Sequence, residues 1–213
     1  MYRLGSVIFT RKFLAACFAL GLSVAAAPRV GHAASSPEDT IRSFYNTLLT
    51  TMENGPTLGK QGRYDQLAPA IRLYFDLSYM SAMAVGSAWS GLSDGQKKQV
   101  GDAFARYLTA TYADNFDSYS GEKLEVTGQQ TISYGTIVQS RILKSNGESV
   151  SMNYLIRQNN GEWQVDDIYL TGTISQLATL RSQFSSVLAR EDANGLVVLL
   201  NRKAQSLIAN ATQ

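Results

Sequence analysis

The chain has 213 residues, 45% of them hydrophobic, with 19 Lys+Arg against 17 Asp+Glu and a formal net charge of +2. Charge so close to balance, with no stripe of clustered Lys and Arg, argues against nucleic acid as a partner, because phosphates need local neutralisation. A single Cys and a single His leave no internal disulfide to staple the fold and little room for thiol or imidazole chemistry.

The amino-terminal stretch carries Arg3, Arg11 and Lys12, no acid before Glu38, and an apolar run over residues 13–24. That run falls short of the ~20 residues a membrane-spanning helix needs. A basic start, a short apolar run and the small residues of Gly31-His32-Ala33 describe a cleaved secretory signal over residues 1–33. A retained anchor is the alternative. Leu14-Ala15-Ala16-Cys17 also fits a lipoprotein box, but only a short apolar stretch precedes it, and no twin-arginine pair is present. Cleavage leaves residues 34–213 as a single domain on the far side of a membrane. It removes four of the 19 basic residues and no acid, so 15 remain against 17 and the domain turns mildly acidic. It also removes Cys17 and His32, and with them Ser-His-Asp or Cys-His catalysis and any ordinary zinc site.

Ser36-Pro37-Glu38 reads as a helix start, with Ile41, Phe44, Leu48 and Met52 at helical spacing behind it. Asn54-Gly55-Pro56 ends that helix and a polar loop is expected to about Gly62. Leu67, Ile71 and Phe75 mark a short helix, and an apolar segment follows over residues 77–85. Ser93-Asp94-Gly95-Gln96 is a capping box opening what reads as the longest helix, closed by Gly121. Its apolar and aromatic face carries Val100, Phe104, Tyr107, Leu108, Thr111, Tyr112, Phe116 and Tyr119.

From Glu122 the period changes to two. Runs over residues 136–144 and 149–157 flank Asn146-Gly147, and Asn160-Gly161 precedes a further run to Leu170, giving an antiparallel meander of about four strands. A two-residue turn at Asn146-Gly147 would place Ile137, Gln139, Arg141 and Leu143 on one face with Ile156, Tyr154, Met152 and Val150. Asp166-Asp167 breaks the alternation and marks a bulge. Ile174, Leu177, Phe184 and Leu188 then line one helix, and Leu196, Leu199, Leu200 and Leu207 another. The whole is an α+β domain in which amino- and carboxy-terminal helices pack an antiparallel or mixed sheet.

Motifs for chemistry are weak. Gly91-Leu92-Ser93-Asp94-Gly95 matches the serine-hydrolase pattern, but no His follows residue 33 and a helix cap accounts for Ser93. Ser120-x-x-Lys123 lacks its companion motifs, residues 55–60 have the wrong spacing for a phosphate loop, and Asp166-Asp167 lacks a third carboxylate for a cation. No catalytic residue, metal or cofactor is assigned. What remains is apolar excess: Met80, Met83 and Trp89, the aromatic helix face, and Val150, Met152, Tyr154 and Ile156 either fill a core or surround a cavity.

Several stretches stand together in a telling order: Tyr74-Phe75-Asp76, Gly86-x-x-Trp89 with Leu92 and Gln96, and Phe104-x-x-x-Leu108-x-x-x-Tyr112-Ala113. Tyr119-x-Gly121-Glu122, Trp163-x-Val165-x-Asp167-Ile168, Gly172 and Arg181-x-x-Phe184 continue it. The set resembles the MlaC-type periplasmic lipid-transfer (toluene-tolerance) family from about Pro37 to Leu207. Residues 172–178, GTISQLA, look like its hopanoid-associated HpnM branch rather than the MlaC-like G-V-S-L pattern. The resemblance implies a sheet packed by helices around a deep apolar pocket, lined by Met80, Met83, Trp89, Phe104, Leu108, Tyr112, Tyr154, Ile168 and Phe184. It implies a membrane lipid as cargo, hopanoid or phospholipid, exchanged with an inner-membrane transporter of the RND (HpnN-like) or MCE/ABC type. A lipid with ~30 apolar carbons would cost on the order of 25 kcal/mol to hold bare in water, so such traffic needs a shield and no catalysis. The alternative from another class is an envelope scaffold that carries no lipid.

Overall fold

The structure, a computed structural model, describes residues 36–209, so the signal expected over residues 1–33 lies outside the described residues. Helix α1 (Pro37–Glu53) starts where the sequence places it. The Ser36 Oγ accepts from the Asp39 N–H at 3.1 Å, and the Asp39 carboxylate accepts from the Ser36 N–H at 3.3 Å. Ile41, Phe44, Leu48 and Met52 are all buried. The expected polar loop is instead helical: α2 spans Gly55–Tyr74, with Pro56 in its first turn and one break at Gly59 (φ 61°). Its early residues are polar because they face water, and proline at a helix start costs no hydrogen bond.

Helix α3 (Leu77–Val85), capped by Asp76, leads through a 3₁₀ turn (Gly86–Gly91) to α4 (Asp94–Asn115). Ser93 and Gln96 form the expected capping box, with the Ser93 N–H donating to Gln96 Oε1 at 3.0 Å. α4 ends at Phe116, five residues before Gly121, because Phe116 leaves the helix to stack on Tyr112 at 5.6 Å. The chain beyond it meets α2: a Cβ at Gly55 would overlap the Asp117 carbonyl. Buried Arg63 ties the same corner, donating to the Ala113 carbonyl at 2.8 Å and the Gly55 carbonyl at 3.3 Å.

Five strands follow, β1 (Lys123–Ile132), β2 (Gly135–Leu143), β3 (Ser149–Asn159), β4 (Glu162–Leu170) and the two-residue β5 (Ile174–Ser175), paired antiparallel in sequence order. The Asn160-Gly161 turn has positive φ at both residues, 50° and 88°, as a two-residue hairpin demands. The Asn146-Gly147 turn does not. Only Gly147 is left-handed (φ 86°), and Lys144 and Glu148 close a three-residue loop, the Lys144 N–H donating to the Glu148 carbonyl at 2.8 Å. Val138 therefore faces Tyr154, and Ile142 faces Val150. This one-residue slip from the expected register turns β2 over. Val138 and Ser140 join Tyr154 in the core, while Gln139 and Arg141 face out, where Arg141 pairs with Glu125 at 2.8 Å.

The expected bulge is present, with Leu155 opposite Asp167 and Ile156 opposite Val165, so that Asp166 is the extra residue. Ile174 lies in β5 and is exposed, not helical. Helix α5 (Gln176–Ile208) is the longest element and breaks at Asp192 (φ 61°), which makes it the two helices that the leucine spacing indicates. Among the described residues no helix is long and apolar enough to cross a membrane.

The helices cover one face of the sheet. α1 lies directly on it, whereas α4 has its extensive neighbours in α2, α3 and α5 rather than in the strands. α4 is thus propped above the sheet. Phe44, Phe75 and Tyr112 fill the space beside α1 edge to face, at centroid separations of 5.0 to 5.8 Å. Phe75 also bridges to Val165, and the Asp76 N–H donates to the Val165 carbonyl at 2.9 Å, covering part of the β4 edge.

Candidate functional site

Where α4 stands off the sheet there is a cavity of about 120 Å³, bounded by α4, the first turns of α5, and strands β3 and β4. Its floor is buried and apolar: Phe104, Leu108 and Tyr112 from α4 and Ile168 from β4. Met152 and Leu170, packed partly exposed against the core, form the sheet side. Around the mouth the chemistry changes. Tyr107, Thr111 and Asn115 lie along α4, Gln176 and Leu180 on α5, and Phe116 closes one end. An apolar interior with amide and hydroxyl groups at the rim suits a ligand whose bulk is hydrocarbon and whose polar part stays in water.

Asp167 builds the wall that α5 contributes. Its Oδ1 accepts from the Ile168 N–H at 2.8 Å and the Leu177 N–H at 3.2 Å, and its Oδ2 accepts from the Ser175 hydroxyl at 2.5 Å. Ser175 caps α5 in turn, accepting from the Ala178 N–H at 3.0 Å. One buried carboxylate thereby fixes the first turn of α5, and with it Gln176 and Leu180, against β4. Its neighbour Asp166, buried at the bulge, pairs with Arg157, whose guanidinium lies 4.0 Å over the Tyr79 ring. Burial pushes the Asp166 carboxyl above the usual carboxylate range, against the opposing pull of Arg157.

Beneath the cavity lies a cluster of phenols. The Ser140 hydroxyl donates to the Met152 carbonyl, so the Tyr45 hydroxyl is the donor in its 2.6 Å bond to Ser140. The Tyr154 hydroxyl donates to the Met152 sulfur at 2.9 Å. The Tyr112 hydroxyl is buried and has no hydrogen-bond partner. The Tyr154 hydroxyl interacts with it and partly offsets the effect of its burial. Desolvation raises all three phenols above their ordinary value, so each stays neutral.

Of the nine residues expected to line a pocket, Phe104, Leu108, Tyr112 and Ile168 border this cavity. Met80 and Phe184 are sealed in the helical core, and Tyr154 is wholly buried in the sheet. Met83 is half-buried, and its carbonyl accepts from Arg181 Nε at 2.8 Å, across Gly86. Trp89 lies elsewhere, beside a surface hollow of about 400 Å³ whose lining includes Arg72, Lys97 and Asp102. Tyr107, Thr111, Phe116 and Met152 belonged to faces that the spacing picked out, but Leu170 and Leu180 did not. The interval of three between Leu177 and Leu180 was the available signal for the second.

The Ser93 of the G-x-S-x-G match is a helix cap following a 3₁₀ turn, not a nucleophile on a strand-to-helix elbow. Among the described residues no group of three or more His, Cys, Asp or Glu could hold a metal ion. An apolar cavity with a polar rim, set in an α+β shell, has the form of a ligand-binding site. The family model described as "MlaC protein" matches residues 42–202, and the chain belongs to that family. A solved structure of a phospholipid-binding protein from Ralstonia solanacearum, in complex with a phospholipid, has the same fold, with a TM-score of 0.72. The two are 23% identical, and the match covers 82% of this chain and 99% of that one.

Proposed function

We propose that this protein is a periplasmic lipid carrier that holds the apolar tails of its cargo between α4, α5 and the sheet and leaves the polar head at the rim. The observation that carries this reading is the cavity itself, with a buried apolar floor and a mouth of Asn115, Gln176 and Thr111. Membership of the MlaC family and the phospholipid held by the Ralstonia solanacearum protein support phospholipid as the cargo class. The resemblance of residues 172–178 to the hopanoid-associated HpnM branch is the support for hopanoid as a second cargo. Export rests on the basic, apolar and small-residue order of residues 1–33, and delivery is to an inner-membrane transporter of the RND or MCE/ABC type.

At about 120 Å³ the cavity is below the roughly 300 Å³ at which ligand pockets usually begin. Loading a whole lipid therefore requires α4 and the start of α5 to move off the sheet. Mass spectrometry of organic extracts from protein purified without detergent tests the carrier: lipid in near-equimolar amount is expected. Lipid at background level would leave the scaffold alternative. Leu180→Asp, at the half-buried mouth, is expected to cut occupancy several-fold while the domain stays folded. Leu108 and Phe104 are poorer choices, since both are buried and a charge there would also unfold the protein.

A further inference from the structure

The hollow beside Trp89 lies between α3, the 3₁₀ turn and the first half of α4. It is larger than the lipid cavity and shares none of its lining residues. Leu77, Trp89 and Ala105 give it apolar walls, and Arg72, Lys97 and Lys98 supply cations. Its one acid is Asp102, which pairs with Lys98 at 2.7 Å. The bond from Lys98, helped by the charges of Arg106 and Arg72, holds the Asp102 carboxyl below the usual carboxylate range. Lys97 has only the fully exposed Asp94, at 3.7 Å, and Arg72 makes no ion pair among the described residues. The positive excess is local, since residues 34–213 carry 15 basic residues against 17 acidic ones.

Gly101 adds an independent observation. It lines the hollow from inside α4, where glycine is a poor helix former. Close packing does not require it: a Cβ there would come only as near as 3.8 Å to the Ser81 Oγ, an ordinary contact. The helix thus gives up stability at a position where a side chain would fit, and the missing side chain leaves room in the hollow. On the other side of Asp102 a further hollow of about 270 Å³ continues along α4, with Arg106 and the exposed Val198 of α5. Two hollows meeting at Asp102 suit a segment of chain better than a single ion.

We propose that this face of α4 docks an acidic segment of a partner protein, with one large apolar side chain entering beside Trp89 and Gly101 and flanking carboxylates meeting Arg72 and Lys97. Apolar walls and charged neighbours are the usual parts of a protein interface, an anchor pocket with a polar rim. A bilayer surface offers anionic head groups to the cations but no apolar anchor to the walls. Docking and lipid use different residues, so the protein can dock with its cavity filled. The inference goes beyond the carrier reading and does not depend on it.

The probe is the end-blocked peptide Glu-Asp-Leu-Phe-Asp-Glu, titrated into isotope-labelled protein and followed by the indole N–H signals of the two tryptophans, Trp89 and Trp163. The Trp89 signal is expected to shift and saturate while the Trp163 signal stays. Replacing the peptide's acids by Lys, or its Leu and Phe by Ser, is expected to weaken binding about tenfold. Arg72→Glu combined with Lys97→Glu is expected to do the same, with melting temperature and lipid content unchanged. Gly101→Leu, which fills the hollow without altering charge, is expected to abolish binding, and it carries the test alone if the double variant unfolds. An unmoved Trp89 signal would overturn the proposal, as would equal binding of the Ser-substituted peptide or binding unaltered in the variants. Phosphatidylglycerol vesicles that shift the Trp89 signal through Arg72 and Lys97 while the peptide does not would assign the face to a membrane surface, and would overturn it too. Loss of the carrier reading would show in lipid extraction and leave these titrations unchanged, so the two failures are distinct.

Discussion

Asp166 and Asp167 are neighbours in sequence, both buried, and stabilised in unlike ways. Asp167 is satisfied by backbone and hydroxyl donors, while Asp166 depends on one guanidinium that water partly reaches. Removing Arg157 would leave a buried carboxylate uncompensated. Arg157→Ala is therefore expected to cost about 2 kcal/mol, below the roughly 3–5 of fully enclosed pairs. Asp166→Asn should cost less, since it removes the buried charge along with the pair. The folded-state pKa of Asp166 is raised, so its protonated form is the one the fold favours, and the linked stability is present in acid and lost as pH rises through that pKa. The deficit of Arg157→Ala should consequently be largest at neutral pH and shrink as Asp166 takes up its proton. Urea denaturation of both variants at neutral and acid pH measures this.

Among the elements, the junction of β4, β5 and α5 rests on the Asp167 carboxylate. Asp167→Ala removes an acceptor from two backbone N–H groups and from Ser175, and is expected to destabilise by about 2 kcal/mol. It should also lower lipid occupancy, because the freed turn carries Gln176 and Leu180. Paired denaturation and lipid extraction separate the two effects. The sequence made this region legible as far as the bulge, since two acids in an alternating strand have few other meanings. It made the helices legible through caps: Ser36, Ser93 and their partners are local, and local hydrogen bonds are written in adjacent residues. The hairpin register was not legible, because Asn-Gly serves both a two-residue and a three-residue turn, and only the choice between Gln139 and Ser140 for the core separates them. The cavity was legible in part. Helical spacing identifies the face holding Phe104, Leu108 and Tyr112 but not how far α4 stands from the sheet, which depends on packing by α2, α3 and α5. Trp89, Met80 and Phe184 look the same in sequence whether they meet a cavity or a core.

For the molecule as a whole, the same apolar floor must serve as core and as binding surface. A ligand that binds only the folded state stabilises it, by about 2.7 kcal/mol at a hundredfold excess over its dissociation constant. Delipidated protein is accordingly expected to melt several degrees below the loaded form, with the difference restored by added phospholipid vesicles; equal melting temperatures would contradict the carrier reading. The break at Asp192 bears on where that stabilisation is felt. Its carboxylate accepts from the Asn194 N–H at 2.6 Å, so the second half of α5 starts afresh with its own cap and its own buried leucines, Leu196 and Leu200. The first half carries the cavity wall. No hydrogen-bonded helical backbone runs unbroken between them, so the two halves should open independently on the timescale of amide exchange. Deuterium uptake over residues 177–191 should be faster than over residues 195–208, and lipid should slow the first without altering the second. A helix that looks continuous would then be two thermodynamic units, one recording the cargo and the other indifferent to it.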